Sequence, residues 1–356
     1  MLRKLLSDDL PRSKALAVLV VLVVLALAFA PFVFPGAKAL SVAAKILIFI
    51  VLVASFDLLL GYTGIVSFAQ TMFFGIGAYG IAIASTRMGP GWPAIFIGLL
   101  VSLGLSFVLA LLVGLFSLRV RAIFFSMITL AVAAAFQTLA SQLSDITGGE
   151  DGLTFKMPQV LSPSWQLTDT PVFGVTIDGR IACYYLLFVV AVVLFLALLR
   201  IVNSPFGRTL QAIRENEFRA EAIGYRVVYF RTMSSILSAL FATLAGAMLS
   251  IWLRYNGPDT SLSFEIMLDV LLIVVIGGMG TIYGAAIGAA IFVVAQSYLQ
   301  DLLKLASGAA SGVSWLAALL SPDRWLLWLG LLFVLSVYHF PTGIVGRLRA
   351  AGARRA

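Results

Sequence analysis

Cysteine and histidine are nearly absent from this chain, which has Cys183 and His339 as its single representatives of each among 356 residues. One thiol excludes an internal disulfide framework, and one thiol with one imidazole excludes a Cys/His metal site or catalytic pair of the usual kinds. Charge is scarce too: Asp, Glu, Lys and Arg make up 11% of the chain, against roughly 25% in a soluble domain. None of the six lysines is followed by Ser or Thr, so there is no G-x-x-x-x-G-K-[ST] phosphate loop and no ATP hydrolysis by that device.

Hydrocarbon fills the space that these groups leave. Hydrophobic residues make up 61% of the sequence and the mean hydropathy is +1.06. Apolar runs of about 20 residues, each able to cross a ~30 Å bilayer core as a helix, recur from end to end. The fold class is an all-α polytopic membrane protein, with 1–356 as a single membrane domain. The net charge of +8 is accordingly read for topology and lipid contact, not for nucleic acid.

The first run, Ala15–Phe34, follows a basic leader, 1–14. Ala28-Phe29-Ala30 has the small-x-small shape of a signal cleavage site, but the run exceeds a signal core and Pro31 would follow the cut, so an uncleaved helix is expected. Further spans are expected near 39–60, 65–85, 93–117, 122–143, 182–202, 232–253, 265–283, 285–303 and 325–340, about ten in all. The Gly-rich pieces at 65–85 and 277–288 leave eight full spans plus two broken or re-entrant segments as the alternative. With ten crossings and a cytoplasmic N-terminus, sixteen Lys and Arg fall inside and seven outside, with Lys45 inside a span. That obeys the positive-inside rule and puts both termini in the cytoplasm, the basic tail 341–356 included.

Two hydrophilic segments remain. The outer one, 144–181, carries Thr147-Gly148-Gly149-Glu150-Asp151-Gly152 and an excess of carboxylates. The inner one, 203–231, opens on Ser204-Pro205, a hydroxyl N-cap followed by proline at N1, where a missing N–H costs nothing. Phe206, Leu210 and Ile213 recur at helical spacing, charges cluster at 214–221, and Gly224 stands where a left-handed C-cap belongs. A solvated connector accounts for this pattern; so does a docking helix whose apolar ridge enters a groove on a soluble partner.

Gly277-Gly278-Met279-Gly280-Thr281-Ile282-Tyr283-Gly284 is not a dinucleotide fingerprint, its last interval being one residue too long. Gly280, Gly284 and Gly288 at intervals of four are expected to form a small-residue helix-packing face. Asp57, a carboxylate within a span, is expected to face the bundle interior or a wet cavity, as a pathway residue or a buried helix–helix hydrogen bond. Lys45 is expected to snorkel to the outer surface, and Asp269 to pair across helices. Ser67, Gln70 and Thr71 lie in a Gly-rich stretch where unwound backbone lines a site or simply packs.

Four segments in order resemble the permeases of ABC importers for branched-chain amino acids, the LivM-like subunit in particular. They are Gly61-Tyr62-Thr63-Gly64-Ile65-Val66-Ser67 with Phe73-Phe74-Gly75-Ile76-Gly77-Ala78-Tyr79, and Phe125-Ser126-Met127-Ile128-Thr129-Leu130 with Thr147-Gly148-Gly149. The third joins Ser204-Pro205-Phe206-Gly207-Arg208, Ile213-Arg214-Glu215-Asn216-Glu217 and Ala220-Glu221-Ala222-Ile223-Gly224; the fourth is Gly277–Thr281 with Phe340-Pro341-Thr342-Gly343-Ile344-Val345-Gly346. The chain departs from the family at Asp57, where Asn is usual, at Ser67-Phe68-Ala69-Gln70 in place of Ser-x-Gly-His, and at Gly284-Ala285 in place of Gly-Pro.

The resemblance implies a non-catalytic, multi-pass subunit of the bacterial inner membrane. It implies pairing with a second homologous permease and two cytoplasmic ATPase subunits, which hold ATP and Mg while this chain binds no cofactor. A periplasmic binding protein would deliver Leu, Ile or Val to the face carrying 144–181. The coupling loop 203–231 would transmit ATPase closure through Arg214, Glu215, Asn216, Glu217, Glu221, Ala222 and Gly224. Asp57, Thr63, Ser67, Gln70 and Thr129 are the candidates for the translocation path. Permeases of this family for urea, short amides or aromatic acids are the first alternative, and an ion-coupled secondary transporter the second.

Overall fold

The computed structural model describes residues 14–33, 36–117, 122–163, 165–166, 178–309, 319–339 and 343–353. The leader 1–13, Arg119 and Arg121, residues 167–177 of the outer segment, Phe340–Thr342 and 354–356 lie outside them. In chain order the helices are α1 (Lys14–Val33), α2 (Ala37–Thr63), α3 (Gln70–Met88), α4 (Trp92–Ser117), α5 (Ala122–Gln142), α6 (Ser144–Thr147) and α7 (Gly179–Asn203). They continue with α8 (Pro205–Glu215), α9 (Glu217–Ala222), α10 (Val227–Leu253), α11 (Pro258–Ser261), α12 (Phe264–Gly277), α13 (Ile282–Ala309), α14 (Trp325–His339) and α15 (Gly343–Ala353).

Eight of these helices, α1, α2, α4, α5, α7, α10, α13 and the stretch Pro258–Gly277 that contains α12, are long and apolar enough to cross a membrane. The other two expected spans fall short of that measure: α3 has 19 residues, among them Gln70, Thr71 and three glycines, and α14 has 15. The segment expected near 65–85 begins as helix only at Gln70. Gly64 takes a left-handed φ of 73° and caps α2 through a bond from its N–H to Leu59 O, which turns the chain out of the helix. The second suspected broken segment, 277–288, is instead a turn between two helices: α12 stops at Gly277, and Gly278 and Gly280 have φ of 115° and 79°.

The core is built around α2, where the stretch Ile46–Leu59 is buried on every face. A helix apolar all round belongs in the middle of a bundle, and α7, α10, α12 and α13 pack around this one. Against α10 lies α3, itself largely buried. A Cβ on Gly77 would strike the Thr243 carbonyl, and one on Gly246 would strike the Phe74 carbonyl. Small residues therefore bring the two backbones together at both ends of the crossing, where dispersion rather than hydrophobicity holds membrane helices.

Loops sort to two ends of the bundle. At one end Lys38 pairs with Asp301, Arg180 Nη2 donates to Ser41 Oγ at 3.1 Å, and Arg254 Nη2 donates to the Leu161 carbonyl at 2.8 Å. There β1 (Leu153–Thr154) pairs antiparallel with β2 (Tyr255–Asn256). Phe155, Met157 and Leu161 pack on Ile81, Ile95, Cys183 and Ala247, so the described part of the outer segment forms a cap seated on the helices. The opposite end gathers α8 and α9, the 278–281 turn, and Gly343 at the start of α15, which abuts Gly277 and Gly278.

Candidate translocation and coupling site

Gln70 begins α3 and is buried between α2 and α10. Its Nε2 donates to Ser55 Oγ at 2.7 Å, and its Oε1 accepts from Ser238 Oγ at 3.2 Å. Ser238 Oγ also lies 2.6 Å from the Ser55 carbonyl, so three helices are tied by one polar knot. Thr63 spends its hydroxyl on the Leu59 carbonyl, 2.5 Å away in its own helix. Such internal satisfaction is what a hydrocarbon environment demands of polar groups.

Ser67 and Thr129 act on the non-helical segment 64–69. Ser67 Oγ accepts from Ala69 N–H at 3.4 Å, and Thr129 Oγ1 accepts from Phe68 N–H at 3.0 Å. Ser126 Oγ donates to the Val66 carbonyl at 2.9 Å. The segment's freed backbone groups are thereby bound to α5, the accounting that an unwound stretch inside a membrane requires. Of the five path candidates the structure thus groups Ser67 with Thr129. Gln70 lies in the three-helix knot, Thr63 on the last turn of α2, and Asp57 deeper on that helix.

Asp57 is 1% exposed. Its Oδ1 accepts the Gly280 N–H at 2.8 Å, while Oδ2 is buried with no hydrogen-bond partner among the described residues. One turn later the Gly61 carbonyl accepts from Arg214 Nη1, a side chain that rises from α8. A side chain on Gly61 would collide with Asp57 Oδ1 and with the Gly280 backbone. Gly280 is therefore not on the packing face with Gly284 and Gly288, and that expectation is corrected. It lies in the turn, where its left-handed φ and the proximity of Gly61 both exclude a side chain. Gly284 and Gly288 do face α12, around Gly277.

In the inner loop Ser204 caps α8, accepting from Gly207 N–H at 3.5 Å with Pro205 at N1. Gly224 has a left-handed φ of 97° and closes α9. The apolar ridge, however, turns inward: Leu210 and Ile213 are buried, and Phe206 stacks on Phe230 with ring centroids 5.8 Å apart. The ridge packs on the chain's own bundle, which overturns its reading as a surface presented to a partner. Phe218 and Ile223, 83% and 71% exposed, are presented instead. Sequence reasoning missed Phe218; its signal was an aromatic residue among charges, out of phase with the ridge. Glu217 is held by a two-bond pair with Arg231 at 2.7 and 2.9 Å, and Asn216 caps α9 by accepting from Arg219 N–H at 2.9 Å. Glu215, Glu221, Ala222 and Gly224 are exposed.

Lys45 does not snorkel. Its Nζ donates to Gln296 Oε1 at 2.8 Å, and Gln296 Nε2 donates to Asp269 Oδ2 at 3.2 Å. The amide thus bridges the two charges across α2, α13 and α12, and supplies the partner that the sequence did not name for Asp269. Among the described residues no three His, Cys, Asp or Glu side chains gather to hold a metal ion.

Eight long apolar helices among the described residues, packed around a buried central one, define a multi-pass membrane protein. The family model for the permease component of branched-chain amino acid transport systems matches residues 38–337, and the chain belongs to that family. The high-affinity branched-chain amino acid transport system permease protein LivM of Salmonella typhimurium is 28% identical over 301 residues, covering 80% of this chain and 68% of its own length. The Escherichia coli protein of the same description is 29% identical over 296 residues, covering 80% and 68%. The probable branched-chain amino acid transport permease protein LivM of Methanocaldococcus jannaschii is 24% identical over 298 residues, covering 79% and 80%. No solved structure matches. The chain is a non-catalytic permease subunit and a multi-pass protein of the inner membrane.

Proposed function

We propose that this chain carries Leu, Ile or Val across the inner membrane by alternating access, powered through its inner loop. It pairs with a second homologous permease and two ATPase subunits, which hold ATP and Mg, and receives substrate from a periplasmic binding protein. The observation that carries this reading is the two-sidedness of 203–231: α9 holds Phe218 and Ile223 out toward solvent, while Arg214 reaches back to Gly61 on the central helix. A rigid element with one face free and the other fixed to the core suits the transmission of force from a docked partner. Glu215, Glu221, Ala222 and Gly224 form the rim of that contact.

Ten crossings with both termini cytoplasmic suit the chain best. The charge bias favours this arrangement, and α3 and α14 supply the two crossings beyond the eight long helices. The leader 1–14, loop 203–231 and tail 341–356 then lie inside and 144–181 outside. The inner part of the route runs along segment 64–69 and α5, close to Ser67 and Thr129, because irregular backbone at membrane depth marks substrate sites in transporters.

The test is ATP-driven uptake of labelled leucine by the reconstituted complex. Phe218→Ala with Ile223→Ala is expected to cut uptake at least tenfold while the chain still inserts in the membrane. Uptake of urea in place of leucine would move the substrate and keep the architecture. Wild-type uptake without ATP, driven by an ion gradient, would overturn the reading.

A further inference from the structure

Within the reading of an ATP-driven permease, the junction under α2 carries a more specific assignment. Asp57 Oδ1 is engaged by Gly280 N–H at 2.8 Å and the Thr281 N–H also faces the carboxylate, but Oδ2 is buried and makes no hydrogen bond of ordinary geometry among the described residues. Arg214 is close at hand: a Cβ on Gly280 would lie 3.2 Å from Arg214 Nη1 and 3.0 Å from the Gly61 carbonyl that accepts from it. The guanidinium has five N–H donors in a fixed fork, and a carboxylate is a stronger acceptor for that fork than a neutral carbonyl. Yet the guanidinium is bonded to the carbonyl, and the carboxylate one helical turn away is left half used.

The two positions belong to different elements. Arg214 rides on α8, next to the exposed α9; Asp57 belongs to the central helix and holds the 278–281 turn, whose Gly278 and Gly280 adopt left-handed torsions. Gly64, at the end of α2, keeps the way for the side chain open, since a Cβ there would lie 3.2 Å from Arg214 Cγ.

We infer that Asp57 is a positioning residue of the coupling apparatus: its free oxygen is the second station of the Arg214 guanidinium. Arg214 rests on the Gly61 carbonyl in the state seen here and swings to the Asp57 carboxylate when partner ATPases displace α8. The ion pair then draws α8, the end of α2 and the 278–281 turn together as one unit. Resemblance to the family puts Asn at position 57, which supplies the cleanest test: Asn keeps an acceptor for Gly280 N–H and removes the charge.

The experiment measures leucine transported per ATP hydrolysed in proteoliposomes holding the full complex, for wild type, Asp57→Asn, Arg214→Gln and the double variant. The expected result is a ratio at least threefold lower in each single variant, and a double variant no worse than either single one, as residues acting as one unit give. Independent, multiplying effects, or an unchanged ratio in Asp57→Asn, would overturn the inference. A second arm needs no transport: Asp57→Cys with Arg214→Cys in a Cys183→Ser background should cross-link more in the vanadate-trapped complex than without nucleotide. Equal yields in the two states would count equally against it. Absence of ATP-driven leucine uptake in the wild-type complex would instead bring down the functional reading beneath it.

Discussion

At Gln70 both ends of one amide are used, Nε2 on Ser55 and Oε1 on Ser238, so three helices share a single side chain. Its replacement by leucine removes both bonds, while Ser55 Oγ keeps the Leu52 carbonyl and Ser238 Oγ the Ser55 carbonyl, each at 2.6 Å. Interhelical bonds of this kind in membranes contribute about 0.6 kcal/mol on average and up to about 1.7 kcal/mol. Gln70→Leu should therefore lower stability by about 1 kcal/mol, seen as a lower midpoint of thermal unfolding in detergent, with the inserted topology retained. The sequence showed that Gln70 and Asp57 were polar groups in apolar runs and so had to be satisfied internally. It did not show by whom, because Ser238 and Gly280 lie 168 and 223 residues away along the chain.

Among the elements, α3 and α10 depend most on side chains that are absent. Gly246→Val would set a branched group against the Phe74 carbonyl, and overpacking of that sort costs about 1–3 kcal/mol where the neighbour is backbone. Gly104→Ala on α4, where an added Cβ meets nothing within 4 Å, is the control and should leave stability unchanged. Thermal unfolding of the two purified variants checks both expectations. The long helices were legible because unbroken hydrocarbon admits no other backbone in a bilayer. The inner loop was legible as capped helix for local reasons, Ser204, Pro205 and Gly224. Its facing was not: periodicity gives the ridge of Leu210 and Ile213 but not whether its own bundle or a partner covers it. The unwinding at 64–69 was legible from the Gly-rich stretch, but the groups that satisfy it were not, since the hydroxyls of Ser126 and Thr129 come from another helix.

For the whole molecule, the proposed ten crossings with cytoplasmic ends make opposite demands on two exposed positions. Val160 lies in the outer cap and Ile223 at the tip of the inner loop, 42% and 71% exposed. In a Cys183→Ser background, an impermeant maleimide applied to spheroplasts should label Val160→Cys and spare Ile223→Cys; inverted vesicles should reverse the pattern. Labelling of both from one side would break the ten-crossing topology. The placing of α3 has one more consequence, for synthesis. This helix opens on Gln70, is interrupted by glycines, and finds its closest packing partner in α10, which leaves the ribosome some 150 residues later. Until then Gln70 Oε1 and Gly77 lack the neighbours that α10 brings, Ser238 and the Thr243 backbone, while Ser55 of α2 and Gly98 of α4 are already made. The half-made chain must be sheltered, by the insertion machinery or by α2 and α4, for the seconds that translation of the intervening stretch requires. The close crossing of α3 and α10 in the finished permease is thus one that the growing chain completes late.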